Sequence, residues 1–475
     1  MRRSLASLLA ATVAALPLTS LAQTPTPAPE QPTQTQGTPT PAPEQPTQAT
    51  PTPAAVPAPP PAAPNKLTFN PYGFILTNVF FNSRAFAADD YPQYAVNAGA
   101  TNDRGILLSS RYNRIGVKIG GAEAMGAKLG AVIEADFGFG FVVSAGQAVQ
   151  TSTQASNFDW YKPIARMRMG YATATWGDPD AKLTLLMGQD YGLLNPLFAV
   201  TLGYIGTPLF QNAGNLYTRS PQIKLTGELG KDNGLTAAVS VSDPMDQNIF
   251  AGSGSNQETP TLSAGNRSRI PEIEGRVSGK FKSDLAAGEV GISGAYHKER
   301  YLLGNITAAS ATASQAFAPT GWVDLDSLMG GVDAVFKFPF VEVRGEGFIG
   351  HNGDMYFAHL GQGGTAAVTT GAPVATALTN VVNKRTKGFW VQGILSPLDW
   401  VQLTGGYGVE VPFVDDIAVG NRSRNSIASA GIILAASKNL KFSAEGAYTY
   451  TGTKTAKADT SINGYQTVLS SQYTF

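Results

Sequence analysis

The sequence predicts an all-β protein: a 16-stranded antiparallel transmembrane β-barrel with long extracellular loops and short periplasmic turns. Three observations carry that expectation. Period-two alternation recurs from residue 71 to residue 475, the connections between the alternating segments are long and short in turn, and the final segment, 465–475, has two chemically distinct faces. In that segment Tyr465, Leu469, Tyr473 and Phe475 share one side, and Gln466, Ser470, Gln472 and Thr474 share the other. Successive side chains of a strand point to opposite faces, so the segment suits a wall with lipid on one side and water on the other.

Composition removes competing classes. With 52 Gly in 475 residues, no Cys, 14% charged residues and a mean hydropathy of -0.06, the chain is too polar for a bundle of spanning helices. Beyond the N-terminus no apolar run reaches the roughly 18 residues such a helix needs. Residues 1–22 read as a signal peptide: Arg2 and Arg3, an apolar stretch from Leu5 to Leu18, then Ser20-Leu21-Ala22 as a small-x-small cleavage site. The absence of cysteine excludes disulfides and thiolate metal ligands. Residues 23–65 are rich in Pro, Thr, Ala and Gln, and the phrase from Thr24 to Gln34 recurs from Thr38 to Gln48. This segment is expected to be a disordered periplasmic linker, extended at about 3.1 Å per residue. The barrel is then 66–475. Arg2, Arg3, Glu30 and Glu44 are the only charges before it, so the barrel is neutral and only the placement of charge is informative.

In chain order the expected strands are 71–81, 111–120, 127–139, 164–175, 182–190, 221–229, 234–242, 270–282, 287–297, 328–338, 340–350, 386–396, 399–409, 423–435, 438–450 and 465–475. Turn-forming residues such as Asp178-Pro179, Asp232-Asn233-Gly234 and Lys438-Asn439 mark the short connections. The long connections are expected at 82–110, 140–163, 191–220, 243–269, 298–327, 351–385, 410–422 and 451–464. Ile273, Gly275, Val277, Gly279 and Phe281 alternate with Glu272, Glu274, Arg276, Ser278 and Lys280. The charged face must be the lumen, because Arg or Lys facing lipid at the midplane costs about 2–4 kcal/mol. Ile115, Val117 and Ile119 oppose Arg114 and Lys118 in the same way. Outward Gly345 and Gly347 suggest a flat face where subunits meet as a homotrimer.

Basic residues gather at the starts of the strands that descend from the long loops. The expected pore-lining bases are Arg111, Arg114, Lys118, Arg166, Arg168, Arg219, Lys224, Arg276, Arg344 and Arg424; the expected pore-lining acids are Glu134, Asp136, Asp190, Glu342, Glu346 and Glu445. Walls of opposite sign would set a transverse field across the passage, and arginines favour carboxylate or phosphate groups. The plainer alternative is that these charges pair across strands and stiffen the wall. Residues 191–220 are too apolar for a free loop, and Leu197, Phe198, Tyr204, Leu209 and Phe210 are expected to fold inward as a constriction. The three histidines, His297, His351 and His359, form no metal motif, and no nucleophile elbow or phosphate-binding loop is present, so neither catalysis nor a metal is expected. Asp415 and Asp416 are candidates for bridging divalent cations to lipopolysaccharide.

Tyr473 and Phe475 resemble the C-terminal signature of Gram-negative outer-membrane proteins, which implies that location, contact with outer-membrane lipid and lipopolysaccharide, and recognition by the barrel assembly machinery. Strand count and an inward third loop resemble the general trimeric porins. Arg114-Ile-Gly-Val-Lys118, Gly188-Gln189, Arg219-Ser-Pro-Gln222 and Arg269-Ile-Pro-Glu272 resemble DcaP-like porins, whose helical N-terminal extension is here replaced by a proline-rich one. The resemblance implies a passive channel for small hydrophilic solutes, favouring anions such as carboxylates, with no cofactor and no nucleic-acid partner. A structural barrel tied to the cell wall through residues 23–65 is the alternative.

Overall fold

The computed structural model describes residues 66–96, 104–138, 165–244, 263–307, 316–358, 364–368 and 376–475. The signal peptide and linker of the sequence analysis, the loop at 140–163 and His359 lie outside the described residues. Sixteen staves form one closed sheet. They are β1 (Thr68–Asn82), β2 (in two pieces, Gly105–Ser109 and Arg114–Ala124), β3 (Ala127–Asp136), β4 (Arg166–Asp178), β5 (Ala181–Tyr191), β6 (Arg219–Leu229), β7 (Gly234–Ser242) and β8 (Glu272–Lys282). The second half comprises β9 (Ala287–Thr307), β10 (Ala316–Lys337), β11 (Val341–His351), β12 (Arg385–Leu398), β13 (Val401–Pro412), β14 (Arg422–Ala435), β15 (Leu440–Thr453) and β16 (Thr460–Thr474). Each strand pairs antiparallel with its successor, and β1 closes the ring by pairing with β16 from Phe74↔Thr474 to Asn82↔Gln466. Closure leaves no unpaired edge, the condition for a sheet to stand in hydrocarbon.

The alternation expected from the sequence is the alternation observed. Ile75, Ile115, Ile133, Ile223, Ile273, Val277, Ile292, Val332, Phe389, Leu403, Phe442, Leu469 and Tyr473 are exposed on the outer surface, whereas Glu272, Glu274 and Gln466 are fully buried within. Tight turns join the strands at one end. At Gly230 φ is 81°, and an added Cβ would collide with the Asn233 carbonyl, so that turn requires glycine.

Three expectations about the long connections need correction. Residues 298–307 and 316–327, expected as loop, continue β9 and β10 as a ladder from Tyr296↔Leu328 to Thr307↔Ala316. Its outward side carries Arg300–Asp324 at 2.6 Å and Lys298–Asp326 at 3.5 Å, while its inward side packs Tyr301, Leu303, Val323 and Leu325 into an apolar cluster, so above the membrane the alternation runs polar-out and apolar-in and no longer reads as a lipid-facing strand. The connection at 451–464 shrinks to the six residues between Thr453 and Thr460, because Thr- and Ser-rich strand ends read as loop. Finally, 82–110 contains the hairpin Phe86–Ala88 with Tyr91–Ala95 and the first piece of β2. Arg111 falls in the break between the two pieces of β2 and bonds to Asp90 and Tyr112.

Candidate functional site: an inward loop facing an arginine wall

Residues 192–218 leave β5 and travel round the inside of the barrel before joining β6. The barrel wall holds them by their backbone. Glu274 on β8 accepts the Leu193 N–H at 2.5 Å; Glu346 on β11 accepts the Leu197 N–H at 2.5 Å and the Asn215 side-chain amide at 2.9 Å. Gln392 on β12 exchanges two bonds with Val200, at 2.7 and 2.9 Å. Glu445 on β15 accepts from the N–H groups of Leu202 and Gly203, at 3.0 and 2.8 Å, and from the Thr201 hydroxyl at 2.5 Å. Asn78 on β1 donates to the Gly203 carbonyl at 3.0 Å. A loop buried without such partners would leave backbone groups orphaned at about 1–3 kcal/mol each.

Apolar burial supplies the rest of the grip. Tyr204, Leu209 and Phe210 pack into one cluster with the inward residues Phe80, Trp390, Ile427, Ala447 and Val468. Phe210 stacks on Trp390, ring centroids 5.6 Å apart and 24° from parallel. Leu197 packs on the edge of the cluster, and Phe198 leans on Tyr191 at 5.2 Å. Tyr204, Leu209 and Phe210 are thus buried, and Leu197 and Phe198 half-buried. Burial also pushes the Tyr204 and Tyr217 hydroxyls above their usual range, so both stay neutral.

Two other connections lock the tip. Asn425 donates to the carbonyls of Gln93 and Asn212, at 2.8 and 2.9 Å, and Thr449 donates to the Pro92 carbonyl at 2.9 Å. From the opposite side Tyr217 stacks flat on Phe357 at 4.8 Å, and the Asn212 amide donates to the Phe357 carbonyl at 2.6 Å. Asn212 takes a φ of 60°, a left-handed turn that asparagine tolerates.

The loop stands away from the wall at β2–β6, and there the arginines gather. Arg168 donates to Glu134 at 2.9 Å, to Asp136 at 2.8 Å and to the Tyr191 hydroxyl at 2.7 Å. Arg166 grips Asp136 at 2.6 and 3.0 Å and reaches the Gly206 carbonyl at 3.4 Å. Arg114 approaches Glu134 only to 3.4 Å. Arg219 lies against the Tyr191 ring at 5.5 Å, has no carboxylate partner among the described residues, and keeps a buried Nη1 without a hydrogen bond. Three guanidinium groups thus share two carboxylates, and the fourth, Arg219, pairs with neither. Between this wall and the loop lies a cavity of about 190 Å³ bounded by Arg114, Arg168, Arg219, Tyr191, Phe198 and Tyr204, among others.

The remaining predicted residues fall elsewhere. Lys224 pairs with Asp190 at 2.6 Å, and Lys118 rests over the Tyr72 ring at 5.1 Å. Arg276 joins Asp333 at 2.6 Å and Glu289 at 2.9 Å; Arg344 binds Glu342 and donates to the Phe198 carbonyl at 2.9 Å. Arg424 is not in the lumen: inward Asn425 and Ile427 set the phase of β14, and Arg424 points outward to the Tyr407 hydroxyl at 2.8 Å. No separate acidic wall exists among the described residues either. Glu134 and Asp136 are interleaved with the arginines, and Glu346 and Glu445 serve the loop. Asp416 makes a two-pronged pair with Arg385 at 2.8 Å, so it is not the free cation ligand expected of it. Sequence reasoning recognised Glu274 as inward but missed it, Asn78, Trp390 and Gln392 as loop anchors. Their inward phase was the available signal.

A closed 16-stranded barrel, apolar outside and carrying an inward third loop, is a porin-like outer-membrane barrel. No protein-family model matches the sequence, and no curated protein matches it. Among solved structures it is similar to the outer membrane channel DcaP of Acinetobacter baumannii, with a TM-score of 0.59 and 14% identity over 87% of this chain and 99% of that one. It is also similar to a loop L8 deletion mutant of OmpT, an outer membrane protein of Vibrio cholerae, with a TM-score of 0.50 and 11% identity over 86% and 99% of the two chains. At such identities the likeness establishes the fold, and that fold with its apolar belt places the barrel in the outer membrane.

Proposed function

We propose that this protein is a passive diffusion channel for small hydrophilic solutes that favours anions such as carboxylates. The observation that carries the reading is the cavity between the inward loop and Arg114, Arg168 and Arg219, where guanidinium groups outnumber carboxylates. An arginine not neutralised by a neighbour is free to exchange water for a passing carboxylate, and its planar fork suits that group. In this reading the long loops face the cell exterior, residues 23–65 are a spacer preceded by a cleaved signal peptide, and Tyr473 and Phe475 form the assembly signal read by the barrel assembly machinery. A homotrimer is part of the same proposal. No cofactor or nucleic-acid partner enters it.

Planar-bilayer recording of the purified protein tests it. An open conductance that survives deletion of residues 23–65 is the expected result. A silent barrel would overturn the channel reading in favour of a structural barrel tethered through its N-terminal segment.

A further inference from the structure

We propose that a groove on the lipid-facing side of β10–β13 binds a phosphorylated glycolipid of the outer leaflet, with Lys387 holding the phosphate and the groove holding an acyl chain. The site is separate from the lumen and does not rest on conduction. It takes from the preceding section only that the long-loop end faces the cell exterior.

Gly330, Val332, Gly347, Ile349, Phe389 and Val411 are among the residues lining a cavity of about 600 Å³. Val332, Ile349 and Phe389 are 56%, 57% and 47% exposed, so their side chains stand on the outer face and form the walls. Gly330 and Gly347 lie between them as the floor. A Cβ added at Gly347 would meet nothing closer than Phe389 at 3.6 Å, and one at Gly330 nothing closer than the Ile349 carbonyl at 3.9 Å. Packing within the barrel therefore does not require glycine at either place, and the depression is left open toward lipid.

The upper rim is charged. Lys387 is in register with Ile349, which is in register with Gly330, so its side chain leaves the wall at the groove's own level. The first acid on the outer face of β10 above that level is Asp326, four residues further toward the loops, a rise of about 13 Å at roughly 3.3 Å per residue. Lys387 has no carboxylate in ion-pair range among the described residues; its ammonium lies 5.3 Å from the Phe413 ring. That ring also receives Arg385 at 4.8 Å, but Arg385 is already neutralised by Asp416. A lone ammonium at the boundary between lipid and water, above an apolar slot, complements an anionic headgroup whose chain descends beside it. Glycolipid phosphate is the occupant because the rim lies at the loop end, in the outer leaflet.

Native mass spectrometry of the full protein in detergent, stripped of lipid and titrated with bis-phosphorylated hexa-acyl lipid A, tests the assignment. Lys387→Gln should weaken the first bound lipid at least tenfold, and so should Gly347→Leu, which fills the slot without crowding the wall. Dephosphorylated lipid A should bind the wild type as weakly as lipid A binds Lys387→Gln. Equal binding by the wild type and both variants would overturn the proposal, as would equal binding of phosphatidylglycerol. So would Gly347→Leu dissociating an oligomer while lipid binding stays unchanged, because the groove would then belong to a second copy. Bilayer conductance, unaffected by either variant, separates failure here from failure of the channel reading.

Discussion

Removing the carboxylate of Glu445 should release the middle of the inward loop. Glu445 accepts the N–H groups of Leu202 and Gly203 at 3.0 and 2.8 Å, together with the Thr201 hydroxyl at 2.5 Å and the Ser443 hydroxyl at 2.7 Å. In Glu445→Ala the two backbone donors remain enclosed with no acceptor, at about 1–3 kcal/mol each. The two together cost about 2–6 kcal/mol, and about 3 kcal/mol within that span corresponds to roughly a hundredfold rise in the population of the locally open loop. Hydrogen exchange in detergent, read at Leu202 and Gly203, measures this directly. Those amides should lose about two decades of protection while the strand amides of β15 keep theirs. Glu445→Gln, which retains one carbonyl acceptor, should fall between. Unchanged protection at Leu202 and Gly203 in Glu445→Ala would refute the claim that the wall carboxylates hold the loop.

Further outcomes follow from the same geometry. Arg219→Gln should lower the ratio of anion to cation permeability about sevenfold, since a charge about 7 Å from a passing ion in water favours an anion by about 0.6 kcal/mol and disfavours a cation by as much; Arg424→Gln, on the outer face, should leave the ratio unchanged in the same bilayer assay. Arg276→Gln strands the buried Asp333 carboxylate and should destabilise the barrel by about 3–5 kcal/mol without altering selectivity, as read by denaturant unfolding in detergent micelles. Phe210→Ala removes a ring stacked in a closed cluster, a change that costs about 3–5 kcal/mol in a rigid core. It should raise exchange at residues 209–215 and the noise of the open channel; a quiet channel of wild-type protection would count against the cluster as the anchor of the tip.

The outer wall was legible because lipid imposes a strict rule on every second residue. Ile273 and Val277 against Glu272 and Glu274 need no further information to be assigned to their faces. Where lipid ends the rule lapses, and Lys298, Arg300, Asp324 and Asp326 then look like loop although they form a ladder. The inward turn of residues 191–220 was readable from their apolar character. Their path was not, since the acceptors Glu274, Glu346 and Glu445 lie between 80 and 243 residues away in the sequence. The same distance problem misplaced the acids: a glutamate in the lumen looks identical in sequence whether it faces solute or accepts a backbone N–H. Arg424 differs for a local reason: it sits at the top of a descending strand, but the phase of β14 turns it outward.

The arginine wall is left facing the cavity once the loop has claimed the acids opposite. Reversal potential across a planar bilayer in a tenfold KCl gradient, measured on the wild type and on Arg114→Gln/Arg168→Gln/Arg219→Gln, tests this most directly. The wild type should reverse on the chloride side of zero and the triple variant should move toward potassium. A cation-selective wild type, or a triple variant with the wild-type potential, would contradict it.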